Sequence, residues 1–281
     1  MADPTQRTVS PLPDPAAPSV LVIAESDPSG SAGVQGDLTT LAALGVYGMA
    51  VPTALTVRGA GSVQRIVGVS PALTQASIRA VLDELPVAAV KIGTLPDAAT
   101  AAAVARALEQ YAGPLVLDPT THRVRRTRYG DRRLRDALVD LLVPRATVVT
   151  PNLNAATALC RIEVRDLEMM IAAARALVGI GAACAMVKGG GLDGDPVDVL
   201  VDRQAFSLLW GTRHHLPRTR GGGSAVSTAV AVALARGADP RAACIDARIR
   251  LDRALATDHV IGRGTPSIAH HALRLAGPTP H

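Results

Sequence analysis

The sequence predicts an α/β fold: a mostly parallel central sheet with helices on both faces. Three observations carry the prediction. Short β-branched runs alternate with alanine- and leucine-rich segments of helical spacing over most of the chain. Several runs end in polar clusters, as VLVIA leads into Glu25-Ser26-Asp27 and VAAVKI into Gly93-Thr94. The 281 residues are 48% apolar and only 2% aromatic, so a large core can be built from Ala, Val and Leu.

Taken in order, Val20 to Ala24 is too short for an ordinary helix and fits a buried strand. The turn-rich Glu25 to Gly33 follows, then a helix over Gln35 to Leu44 that Gly45 stops. Strand, glycine loop and helix make a phosphate- or substrate-binding layout, without the strict dinucleotide fingerprint. Strands are expected over Met49 to Val57 and Arg65 to Val69, and a helix over Pro71 to Leu85 with proline in its first turn. Val87 to Ile92 and Pro114 to Leu117 read as buried strands, with an alanine-rich helix, Ala98 to Tyr111, between them. The alternation continues through helix Asp131 to Leu142, strand Thr147 to Thr150, helices Asn154 to Cys160 and Asp166 to Val178, and strand Cys184 to Val187. Val197 to Val201 and Phe206 to Trp210 form an edge hairpin, and helices follow over Val226 to Arg236 and Pro240 to Ala256. In such sheets ligands sit beyond the carboxyl ends of the strands. That places Glu25, Asp27, Arg58, Gly93, Thr94, Asp118, Thr120, Asn152 and Lys188 at the expected site.

Composition narrows the function. A net charge of +5 suits an anionic ligand and is too small by itself to indicate DNA binding. Scarce aromatics argue against stacking platforms for single-stranded nucleic acid. Cys160, Cys184 and Cys244 are far apart and odd in number, which argues against a disulfide framework and a zinc site and fits reduced thiols in a cytoplasmic protein. Residues 1–18 are rich in Pro, Asp and Ala with no apolar run, so they read as a disordered leader, neither signal peptide nor membrane span. The tail, 276–281, reads the same way, which leaves 19–275 as a single expected domain.

The stretch Thr219-Arg220-Gly221-Gly222-Gly223-Ser224 leads three glycines into a small-residue helix. Glycine permits close approach and positive φ, and the first amides of a helix lack internal partners. Together they make an anion site suited to phosphate. The glycines alone fit a flexible turn before a packed helix equally well.

The motifs SDPSGSAGVQGDL, ALGVYGMAVPTAL, KIGTL, VLDP, TPNL, VKGGGLDG and TRGGGSAVSTA resemble those of the hydroxymethylpyrimidine and phosphomethylpyrimidine kinases of thiamine biosynthesis. These belong to the ribokinase-like superfamily, which also holds pyridoxal kinases. The resemblance runs in register from about Val20 to His271. It implies a three-layer α/β/α fold, a homodimer, and ATP- and Mg²⁺-dependent phosphorylation of a hydroxymethyl group on a small heteroaromatic ring. By this resemblance Gly221, Gly222 and Gly223 form the anion hole for the transferred phosphoryl group, and Ser224 stands at the catalytic base. Lys188, Asp118, Asn152 and Thr219 fall on the nucleotide and phosphate side, with Asp118 and Asn152 also near Mg²⁺. Glu25, Asp37, Arg58, Thr94 and Thr120 face the substrate. Asp37 as a helix cap and Lys188 as a strand-end salt-bridge partner are the alternatives.

The departures from the family pattern are as informative. At Ser224 the family has Cys or Asp, and an alkyl hydroxyl is a poor base unless another base activates it. Ala155 replaces a Glu that organises Mg²⁺ through water. Glu25 replaces a glycine, Arg58 a ring-pairing glutamine, Thr94 a methionine, and Thr120 an apolar residue. These exchanges change the donor and acceptor pattern that selects a ring, unless Glu25 and Arg58 pair and close the pocket. Losing base, glutamate and glutamine together supports a second expectation, a catalytically impaired member that binds without turnover. The arginine run from Arg123 to Arg135 reads either as a phosphate-covering loop or as a solvated face, with nucleic-acid binding a third, lesser reading. His214 and His215 are candidates to replace the missing base or a surface pair. Gly262 to Pro266 resembles the family's closing glycine-rich segment.

Overall fold

A computed structural model describes residues 18–59, 63–119, 131–214, 219–257 and 265–274. Within these lies a nine-stranded sheet in the order β3-β2-β1-β4-β5-β6-β7-β8-β9. Its strands are β1 (Ser19–Ser26), β2 (Tyr47–Arg58), β3 (Val63–Gly68), β4 (Ala89–Ile92), β5 (Leu115–Leu117), β6 (Val148–Val149), β7 (Cys184–Lys188), β8 (Val197–Asp202) and β9 (Phe206–Trp210). The six strands from β2 through β7 in that order are mutually parallel, while β3 pairs antiparallel with β2 and β8 with β7. The β8–β9 hairpin expected at the edge is present.

Alternation along each strand splits the core into two layers. Leu21 and Ile23 of β1, Val90 and Ile92 of β4, and Leu115 and Leu117 of β5 face one side. There they meet helices α2 (Pro71–Glu84), α3 (Ala98–Ala107), α4 (Arg132–Ala137), α5 (Leu153–Cys160) and α6 (Leu167–Ile180). Val20, Val22, Val116, Val148 and Met186 face the other side, against α1 (Gly33–Ala43), α7 (Gly222–Ala235) and α8 (Pro240–Leu255). This is the expected three-layer α/β/α arrangement.

Helix α7 is buried continuously from Ala225 to Leu234. A helix apolar all round must lie inside, and this one packs between α1, α8 and the sheet. Its start differs from the sequence expectation. It begins at Gly222, not Val226, so Gly222 and Gly223 belong to its first turn and only Gly221, with φ +88°, is the turn before it. Helix α4 is also shorter than expected, passing into a π-turn over Leu138–Leu142. The leader 1–17, Thr120, the run Arg123 to Arg128, His215, Gly262 to Gly264 and the tail from 275 lie outside the described residues. Among those described, no helix is long and apolar enough to cross a membrane.

Candidate active site at the start of helix α7

The loop after β1 and the turn before α7 are pressed together. A Cβ at Gly221 would collide with the Ser31 carbonyl oxygen, and one at Gly33 would collide with that of Glu25. Asp27 winds the β1 loop by accepting from the Ser29 amide at 3.0 Å and hydroxyl at 2.7 Å, while its own amide donates to Gln35 Oε1 at 2.7 Å. No side chain caps α7. Its first turn therefore presents backbone N–H groups at the carboxyl edge of the sheet.

Two lysine–carboxylate pairs flank that turn. Lys188, at the end of β7, donates to Asp118 Oδ1 at 2.8 Å and to the Gly223 carbonyl at 3.3 Å. Asp118, just past β5, accepts at its other oxygen from Ser227 of α7 at 2.9 Å. The second pair is deeper. Lys91 of β4 faces the α1/α7 layer in register with Val22 and Val116. Its Nζ donates to Asp37 Oδ2 at 2.6 Å and to Ser224 Oγ at 3.1 Å. Ser224 Oγ donates to Asp37 Oδ1 at 2.6 Å, and Thr228 donates to the same oxygen at 2.7 Å. The two pairs thus hold successive hydroxyls of α7.

The remaining residues of the expected site fall around this centre. Asn152 caps α5, its Oδ1 accepting from the Ala155 amide at 2.9 Å, and forms an isolated bridge with Lys188. Arg58 and Arg220 both reach Asp27 Oδ2, each at 3.4 Å. Arg58 thus has Asp27 as an ion-pair partner, beside the Glu25 pairing weighed as an alternative. Burial and the neighbouring Arg58 hold the Arg220 guanidinium below the usual arginine range. Glu25 is buried at the end of β1. Thr94 is half-buried past β4, its carbonyl accepting from Thr53 at 2.9 Å. Thr219 is half-buried, next to the bridge between Arg220 and Ser267. Of the arginine run, Arg132 is solvated and Arg135 largely buried, and both pair with Asp136 on α4. His214 interacts with Asp252 of α8, whose carboxyl burial pushes up while Arg248 and His214 pull it down. The partners of Ser224 are Asp37 and Lys91, not a histidine.

Sequence reasoning missed Lys91, Ser227 and Thr228. The signal for Lys91 was a lysine inside an otherwise apolar strand, a residue type almost never fully buried unless paired. The two hydroxyls sit one helical turn beyond the glycines and carry no distinctive spacing.

The donor sets suit the two expected ligands unequally. Free amides at the start of α7, with Lys188 3.2 Å from where a Gly223 Cβ would lie, fit a polyphosphate. A protein-held Mg²⁺ fits poorly: both Asp118 oxygens are taken by Lys188 and Ser227, and position 155 is an alanine. Among the described residues no group of three His, Cys, Asp or Glu could hold a metal ion.

The phosphomethylpyrimidine kinase family model matches residues 27–269. A hydroxymethylpyrimidine/phosphomethylpyrimidine kinase of Streptomyces coelicolor is 35% identical over 265 residues, covering 93% of this chain and 97% of the relative. The thiamine biosynthesis bifunctional protein ThiED of Geobacter sulfurreducens is 37% identical over 90% of this chain, which spans only 52% of that longer protein. Among solved structures, the ADP complex of Bacillus subtilis pyridoxal kinase superimposes with a TM-score of 0.86 at 30% identity, over 93% of this chain and 100% of the other. The match extends from the β1 loop, through both lysine–carboxylate pairs, to the segment beyond α8, and the chain belongs to the phosphomethylpyrimidine kinase family.

Proposed function

We propose that the protein transfers the γ-phosphoryl group of ATP to the hydroxyl of a hydroxymethyl arm on a small heteroaromatic ring, first among them hydroxymethylpyrimidine or its monophosphate. The observation that carries this reading is the start of α7. There Lys188, the helix amides and Ser224 converge on one spot. An anion hole with a fixed cation is what phosphoryl transfer needs, because its catalysis is mainly positioning and charge stabilisation. ATP would lie with its terminal phosphate on the α7 amides and Lys188. Any Mg²⁺ would then arrive chiefly on the phosphates, since the protein offers it few free carboxylate oxygens.

The acceptor ring would lie on the side of Glu25, Arg58 and Thr94. The two arginines on Asp27 make this wall more polar than a glutamine would. The likeness to a pyridoxal kinase makes a pyridine ring the second acceptor to test. Ser224 is hydrogen-bonded to a carboxylate, which supports turnover over mere binding. A role in thiamine biosynthesis, a homodimer and a cytoplasmic location belong to the same proposal and rest on the resemblance.

The test is ATP consumption with hydroxymethylpyrimidine, its monophosphate and pyridoxal in parallel, with Lys188→Ala as control. Turnover on one acceptor is expected, reduced roughly 10²- to 10³-fold in the variant. Nucleotide binding without transfer to any of the three would overturn the acceptor assignment. Turnover untouched by Lys188→Ala would overturn the phosphate site.

A further inference from the structure

Resting on the kinase reading, we infer that Ser224 works as the acceptor's proton carrier, with Asp37 as the base behind it and Lys91 as the cation that holds both. The hydroxyl lacks the basicity of a thiolate or carboxylate, and it does not stand alone. Its own proton points to Asp37 Oδ1 at 2.6 Å, and Lys91 Nζ lies 3.1 Å from its oxygen. Asp37 and Lys91 are 0% and 1% exposed, so nothing in bulk solvent competes for this arrangement. Ser224 itself is only half-buried and borders the anion hole.

The step balances as follows. The acceptor hydroxyl oxygen attacks the γ-phosphorus, and its proton passes to Ser224 Oγ while the Ser224 proton passes to Asp37 Oδ1. The bond between the γ-phosphorus and the bridging oxygen breaks, its electron pair leaving on the nucleoside diphosphate. Asp37 later returns its proton through Ser224 to water. Ser224 is the group that touches the acceptor. Asp37 and Lys91 act through it and are positioning residues. Thr228, donating to the same Asp37 oxygen at 2.7 Å, fixes the carboxylate plane.

Replacing Ser224 by Cys provides a group that ionises by itself and no longer needs Asp37. The first experiment is therefore a cycle of kcat values. Asp37→Asn is expected to lower kcat roughly 10²- to 10⁴-fold when Ser224 is present. In the Ser224→Cys background the loss should shrink to about tenfold or less, because the thiol ionises without a proton acceptor behind it and Asp37 then only shifts its basicity. Equal losses in both backgrounds would overturn the relay and leave Asp37 a structural role. Asp37→Asn leaves Lys91 unpaired inside the protein, so the same comparison is made with Asp37→Asn/Lys91→Met, which removes both charges.

A second arm needs no acceptor. In Ser224→Cys the introduced thiol is alkylated with iodoacetamide at neutral pH and located by mass spectrometry. Cys184 and Cys244 are buried, and burial raises the Cys160 thiol to about 11, so the new thiol reacts first. Lys91→Met should slow its alkylation and Asp37→Asn speed it, each by roughly tenfold. The neighbouring Lys188–Asp118 pair is constant across this series. Changes in the same direction would mean general disruption and overturn the proposal. If the unaltered protein phosphorylates no acceptor, the kinase reading fails, while alkylation still decides whether position 224 is coupled to the pair.

Discussion

Burying Lys91 and Asp37 would each cost several kcal/mol alone, and the 2.6 Å contact between them offsets that cost. A pair this expensive gains little over apolar side chains in stability, so its value lies in what it holds, the Ser224 hydroxyl. VAAVKI reads correctly as a buried strand, and the lysine within it was the visible anomaly. What sequence alone cannot give is the partner, because Asp37 is 54 positions away and Ser224 is 133. Gly221 is the opposite case, one of three glycines that the sequence places in a turn and the one that the structure keeps there. Its φ of +88° and its contact with the Ser31 carbonyl leave no room for a side chain. Gly221→Ala is expected to destabilise the protein by about 1–3 kcal/mol. Gly190→Ala, at a position with negative φ and open space around it, should stay within about 0.5 kcal/mol of neutral. Urea titration of both variants separates them. Equal stability would mean that the loop relaxes and the glycine requirement is not steric.

At the scale of single elements, most strands and helices fall where periodicity and glycine or proline punctuation put them, with ends shifted by a few residues. The displacement that bears on the site, α7 starting at Gly222, has a physical cause. Glycine is a poor helix former, so the pattern of side chains begins only at Ala225. The backbone nonetheless turns helical earlier, held by the Gly221 carbonyl accepting from Ala225 at 2.9 Å. The site gains by it, because an early start brings the free amides to the glycines themselves. Helix α5 poses a sharper question about Asn152, expected near phosphate and found as an N-cap. Its oxygen serves the Ala155 amide, leaving the amide nitrogen for a ligand. Asn152→Ala should cost about 1 kcal/mol, and Asn152→Asp should keep the cap and its stability. If Asp restores stability but weakens ATP binding, the side-chain nitrogen meets the phosphates. If both are kept, Asn152 serves only the helix.

The whole molecule explains why the site could be named before it could be drawn. Six parallel strands end on one edge, so residues from β1, β4, β5 and β7 arrive together although the chain separates them widely. Asp37 and Ser224 are 187 positions apart and 2.6 Å from contact to contact. Motif resemblance named candidate residues, and the topology brings Lys188 to Asp118 and Gly223, and Ser224 to Asp37. This convergence also couples nucleotide binding to global stability, since Lys188, Asp118 and the α7 turn belong to three distant segments. A ligand that binds only the folded state at one hundred times its Kd adds about 2.7 kcal/mol. For a chain of this size each kcal/mol raises Tm by roughly 2–4 °C, so saturating ATP, or a non-hydrolysable analogue, is expected to raise Tm by about 5–10 °C. Lys188→Ala should abolish most of that rise, because it removes the cation beside the anion hole. Ser224→Ala should retain it, because the hydroxyl acts on the acceptor's proton and not on the nucleotide. Differential scanning fluorimetry of the three proteins makes the comparison directly. A full shift in Lys188→Ala would move the phosphates away from β7, whereas a lost shift in Ser224→Ala would make Ser224 a phosphate ligand and remove the division of labour between the two lysine–carboxylate pairs.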